Sequence, residues 1–183
     1  MRYFVEISLT DTDFERCADF ARRQQDEAMR NKYKTKYGQE LGLTFEQTLQ
    51  GNLGEQAVAH YFGYEYVYQP YNKARYDILG YEVRTTYWPD GGLLTHPVIE
   101  VPGKPGIYQD DKPGMYILVT VDKNEFVATI QGWRDIADCN AMTQNWQTGW
   151  RFPCFKTPQN QLWPIDTLPA TTELLTHQGR AAA

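Results

Sequence analysis

Residues 2–9 alternate apolar and polar side chains and are rich in β-formers, which predicts a first strand. Thr10 or Asp11 then offers an N-cap. Phe14, Cys17, Ala18 and Ala21 recur at helical spacing, so a helix is predicted from about 12 to 30. A second helix is predicted from Thr44, with Gln47 at capping-box spacing and Phe45, Leu49, Leu53, Ala57 and Tyr61 as its apolar stripe. Gly63 supplies its stop. Gly51 and Gly54 lie inside this helix, where each costs about 1 kcal/mol against Ala. Such a pair points to close approach of another backbone, or to a kink.

Residues 64–69 read as a strand, and 75–79 with 81–88 as a hairpin. Pro89 to Gly114 is rich in Gly and Pro and has little periodicity. Loops of that length are often functional. Met115–Val121 and Glu125–Ile130 read as paired strands with Asp122, Lys123 and Asn124 at the turn. A short helix is expected after Trp133, an edge strand at 162–165 and a short helix at 171–176, with 178–183 as a frayed tail. No internal repeat is visible. The order of elements predicts one α/β (α+β) domain over 1–177, with a core at about 44–135 and a central sheet built from 64–130.

Composition changes this picture little. The 183 residues are 42% hydrophobic and 22% charged, an ordinary globular balance. Thirteen Tyr and five Trp raise the aromatic share to 14%. Packing in and around the core is the usual use of such rings, and stacking on bases is the alternative. The net charge of −5 speaks against a general phosphate binder while leaving room for a local basic surface. Three cysteines without CxxC spacing predict neither a disulfide framework nor a zinc site, and a reducing, cytoplasmic setting. No apolar run is long enough to span a membrane.

The chemistry concentrates in Asp77-Ile78-Leu79-Gly80-Tyr81-Glu82-Val83-Arg84. With Gly80-Tyr81 as a two-residue turn, Leu79 opposes Glu82, Ile78 opposes Val83 and Asp77 opposes Arg84. Asp77, Glu82 and Arg84 then share one face, and Ile78 and Val83 the other. Two carboxylates held together call for a cation. Hard oxygen ligands suit Mg2+ or Mn2+, which polarises a phosphate and acidifies bound water. The other reading is an exposed hairpin face, where Asp77 and Arg84 form a cross-strand pair worth at most about 1 kcal/mol.

At these residues the chain resembles the PD-(D/E)XK nuclease-like superfamily, whose pattern is an Asp near a strand end followed by Glu-X-Lys on the next strand. Asp77 matches the Asp, and Glu82-Val83-Arg84 matches Glu-X-Lys with Arg in place of Lys. Glu55 stands where the family often carries an acidic residue on the preceding helix. The resemblance covers roughly residues 44–135. It implies a restriction-endonuclease-like mixed sheet flanked by helices and a metal-dependent nuclease, most readily of DNA. Asp77 and Glu82 would hold Mg2+ or Mn2+ with the Val83 backbone carbonyl. Glu55 would hold a second metal or a metal-bound water, and Arg84 would assist. Many members act as dimers, so a homodimer is compatible with it. Arg stays charged and cannot serve as a general base, which also admits a catalytically silent module of the same fold that binds nucleic acid or a protein. A small acidic DNA mimic is a third reading, opposed by the basic stretch that follows the first helix.

That stretch, Arg30, Lys32, Tyr33, Lys34 and Lys36, is the nucleic-acid-binding candidate: cations meet phosphates and the ring stacks. A solvated helix end with cations complementing the dipole is the plainer account. His96 and Lys104 lie in the long loop, and Trp133 is expected to pack.

Overall fold

The computed structural model describes residues 4–31, 44–68, 76–96, 113–147 and 154–181. Reciprocal capping boxes start both long helices. Helix α1 (Asp11–Arg30) begins where Thr10 Oγ1 accepts from the Asp13 N–H at 3.1 Å and Asp13 Oδ2 accepts from the Thr10 N–H at 2.9 Å. Helix α2 (Phe45–Tyr61) repeats the device with Thr44 and Gln47. Small residues on α1 (Cys17, Ala18, Ala21) let the helices approach, and they bury against Leu49, Leu53 and Ala57 of α2.

The central sheet runs β1 (Val5–Ser8), β5 (Val127–Asp135), β4 (Met115–Asp122), β2 (Glu82–Thr86). β2 lies parallel to β4 and the other pairs are antiparallel, so the sheet is mixed. Strand alternation sends Val83, Ile117, Val119, Ala128 and Ile130 into the helix-side core. Tyr116 and Leu118 bury on the other face, with Leu93, Ile136 and Cys139. That second layer holds helix α3 (Ile136–Ala141) and a small sheet ordered β3 (Leu93–Thr95), β7 (Cys154–Thr157), β6 (Trp146–Gln147). Helix α4 (Thr172–Ala181) closes the described chain. The chain is one mixed α/β domain, and no described helix is long and apolar enough to cross a membrane.

Several expectations need correction. Residues 64–68 form no strand, because Tyr66 turns into the core and spends its hydroxyl on α2. The central sheet takes β1 instead, and β5 runs on to Asp135. Part of the long loop pairs as β3 with β7, while 97–112 lies outside the described residues. Residues 162–165 contribute a single bridge, Trp133 to Trp163, rather than an edge strand. The predicted tail is helical as far as Ala181. Gly54 meets the Thr85 side chain of β2 rather than another backbone, whereas Gly51 faces open space among the described residues.

The hairpin register is also displaced by one residue. Ile78 pairs with Tyr81, exchanging backbone bonds of 3.1 and 2.8 Å, so Leu79-Gly80 is the turn. Both residues have positive φ, 49° and 83°, as a type I′ turn requires. Leucine is a poor choice for that conformation. It is tolerated because its side chain is buried and Thr171, just before α4, donates its hydroxyl to the Leu79 carbonyl.

Candidate active site

Helix α2 reaches β2 through Gly54. A Cβ there would overlap Thr85 Oγ1 and come within 2.9 Å of Thr85 Cβ and 3.0 Å of its Cγ2, so only glycine allows this approach. One turn earlier, Gln50 Nε2 donates to the Thr85 carbonyl at 2.6 Å. These two contacts seat α2 on the edge strand and bring the next residue, Glu55, to that edge from the helix layer.

Asp77 comes to the same edge from the turn. Its Oδ2 accepts the Val83 N–H at 2.8 Å, a bond in the plane of the sheet on the side away from β4. The N–H and C=O of one strand residue point to the same side, so the Val83 carbonyl also faces this edge. The corrected register places Asp77 next to the Ile78–Tyr81 bridge, facing Glu82 rather than Arg84. Ile78 and Val83 do share the helix-side core. Glu82 and Arg84 project from the opposite face, where the Arg84 guanidinium lies 5.1 Å from the centre of the buried Tyr116 ring. Arg84 Nη1 stands 3.7 Å from Glu82 Oε2, and Glu82 is only 4% exposed.

The carboxyl groups therefore surround the edge of β2: Glu55 from the helix side, Asp77 in the plane, Glu82 from the other face. They are near enough to act on one another. Burial pushes the Glu55 carboxyl well above the usual range, and the negative charges of Asp77 and then Glu82 push it further. A hydrogen bond from Tyr66 and the Arg84 charge oppose this shift. Desolvation and the neighbouring Glu55 in turn raise the Tyr66 phenol well above its ordinary value. Tyr66 Oη donates toward Glu55 Oε2 at 2.9 Å and Asn52 Oδ1 at 3.1 Å. Sequence reasoning missed Tyr66 and Asn52. Neither lies in the Asp…Glu-X-Arg pattern, and the alternation around Tyr66 reads as strand.

The donor set fits a hard divalent cation in chemistry: carboxylates crowded at one edge, with a backbone carbonyl directed to it. Among the described residues no three His, Cys, Asp or Glu side chains form one ligand group. The sheet edge separates Glu55 from Glu82. A cation here would take one or two carboxylates, the Val83 carbonyl and water, which is the usual complement of Mg2+.

The other candidates lie elsewhere. Arg30 is exposed at the end of α1, with its Nε donating to the Asp26 carbonyl at 3.3 Å. Lys32, Tyr33, Lys34, Lys36 and Lys104 lie outside the described residues. His96 is half-buried just after β3. Trp133 packs as expected and donates Nε1 to the Pro164 carbonyl at 3.0 Å and to Thr167 Oγ1 at 3.1 Å. All three cysteines are buried, and none is in a disulfide. Comparison with known proteins returns no matching family model, curated protein or solved structure.

Proposed function

We propose that this chain is a divalent-cation-dependent hydrolase of phosphodiester bonds in nucleic acid, DNA being the foremost candidate, with its reaction centre at the edge of β2. The observation that carries this reading is the gathering of Glu55, Asp77 and Glu82 around one backbone edge, with the Glu55 carboxyl raised by burial and by the other two. Clustered carboxylates with perturbed protonation are concentrated at functional sites, where a cation offsets their repulsion. The resemblance of Asp77 and Glu82-Val83-Arg84 to the PD-(D/E)XK pattern points the same way.

Mg2+ or Mn2+, when bound, supplies positive charge to the scissile phosphate and lowers the pKa of a bound water. Asp77 and Glu82 would hold it, with the Val83 carbonyl. The bond from the Val83 N–H holds the Asp77 carboxylate against the strand, so its orientation precedes binding. From the helix side, Glu55 would hold a second cation or a cation-bound water. Arg84 keeps its charge at all working pH and faces the phosphate oxygens as negative charge grows on them.

The test is incubation with mixed DNA and RNA in Mg2+ or Mn2+, using Asp77→Asn and Glu82→Gln. The amide in Asp77→Asn keeps an acceptor for the Val83 N–H. Both variants should fold and lose cleavage. Undiminished cleavage in either would overturn the assignment. Arg84 also favours a second reading: its charge faces Glu82 and it cannot act as a base, which suits a silent nucleic-acid-binding module. Metal-independent binding without cleavage would select that module.

A further inference from the structure

We propose that Tyr66 and Asn52 form a positioning relay that sets the Glu55 carboxyl at the β2 edge and ties it to helix α1. The inference rests on the hydrolase reading of that edge and names residues that its pattern leaves out.

The relay follows from hydrogen-bond valence. Asn52 is 2% exposed. Its Nδ2 lies 3.2 Å from the Cys17 carbonyl and 3.1 Å from Gln24 Oε1, both on α1. A carbonyl only accepts, so the amide must turn its nitrogen toward α1 and its oxygen toward Tyr66. Asn52 Oδ1 then also only accepts, and the Tyr66 hydroxyl is its donor. Glu55 Oε2, at 2.9 Å, is the nearer partner of the same Tyr66 oxygen. With Glu55 ionised, the one hydroxyl hydrogen faces two acceptors; with Glu55 protonated, the carboxyl donates to Oη and Oη to Asn52 Oδ1; in both states Oη is held between them. A shift of Asn52 relocates the donor that Glu55 meets.

Tyr66 is itself fixed. It is buried and belongs to no helix or strand, and its ring meets Phe20 of α1 edge-on at 5.6 Å. Asn52 is anchored again through its own backbone, whose carbonyl accepts from Cys17 Sγ at 3.5 Å. The chain of contacts from α1 through Asn52 and Tyr66 to Glu55 is continuous and lies between the packed helices. An apolar interface would pack there without any need to satisfy buried polar atoms. Tyr66 touches no reacting group. It acts through Glu55, as outer-shell partners act through the ligands they orient.

The test measures Mn2+ binding by the electron paramagnetic resonance of free Mn2+, with thermal unfolding in parallel, for the wild type, Tyr66→Phe and Gln24→Met. The wild type should bind. Tyr66→Phe should weaken binding about 10-fold or more, the range found for outer-shell partners. Gln24→Met, which never touches Glu55, should give a smaller loss in the same direction. Equal affinity in the wild type and a folded Tyr66→Phe overturns the relay and leaves the hydrolase reading standing. If Tyr66→Phe does not fold, Gln24→Met decides, and unchanged affinity there overturns the relay. Absence of Mn2+ binding in the wild type overturns the hydrolase reading and the relay with it.

Discussion

Replacing Gly54 by alanine isolates the contact that seats the candidate site. Alanine is the better helix former by about 1 kcal/mol, so propensity alone predicts stabilisation. The new methyl would overlap Thr85 Oγ1 and stand 2.9 Å from Thr85 Cβ and 3.0 Å from its Cγ2. Rotation of Thr85 cannot relieve this, because its Cβ and both branches are too close. Helix α2 must back away from β2, an overpacking that costs about 1–3 kcal/mol. Gly51 is the internal control: it lies in the same helix with nothing within 4 Å of an added Cβ. Gly51→Ala should stabilise by about 1 kcal/mol. The two alanine variants should therefore differ by about 1–3 kcal/mol in unfolding free energy, read from urea or guanidinium transitions of unchanged slope. Adding Thr85→Ala to Gly54→Ala should recover part of the loss, since Thr85 Oγ1 has no hydrogen-bond partner among the described residues to forfeit. Equal stabilisation by the two alanines would refute the claim that Gly54 sets the distance between α2 and β2.

Three further outcomes are expected. Gly80→Ala should destabilise by about 1–2 kcal/mol in the same denaturation assay, because an L-residue is strained at positive φ and the new Cβ would sit 3.1 Å from Thr171; an unchanged midpoint would contradict the turn assignment. Burial raises the Asp13 carboxyl, but bonds from the Thr10 backbone and hydroxyl and from His60 outweigh it and bring it down to about 2. A depressed carboxyl stabilises fully above its unfolded value of 3.8 and loses that contribution as pH falls toward 2. The term is on the order of 2 kcal/mol; Asp13→Asn should flatten the pH dependence of stability in that window, and an unchanged curve would refute the cap's role. Glu55 has the opposite sign: its raised carboxyl favours the fold at low pH and opposes it as pH rises through the folded value. Without divalent cations, Glu55→Gln should thus be more stable than the wild type at neutral pH, and a less stable variant would contradict the crowding of carboxylates.

Local signals in the chain were legible and nonlocal ones were not. Thr44 with Gln47 is a complete capping box within four residues, so the start of α2 can be read directly, whereas Thr10 and Asp11 both offer a cap for α1 and the structure uses Thr10 with Asp13. The alternation that buries Ile78 and Val83 together is equally local. The turn register was not legible, since Leu79 adopts a left-handed conformation only with help from Thr171, 92 residues away. The small sheet joins Leu93–Thr95 to Cys154–Thr157, a pairing that neither segment announces. Tyr66 reads as part of an alternating strand, and its fate depends on Asn52 and Glu55 offering acceptors from α2. At the site, Asp77, Glu82 and Arg84 were found by spacing. That they surround an edge rather than line one face follows from the bond between Asp77 and the Val83 N–H.

Under the proposed function, the edge of β2 holds a divalent cation. Calorimetric titration of Mg2+ into the wild type and Asp77→Asn at neutral pH tests it most directly. Saturable binding to the wild type that is lost in a folded Asp77→Asn is the predicted result. No binding to the wild type, or equal binding to both, would contradict it.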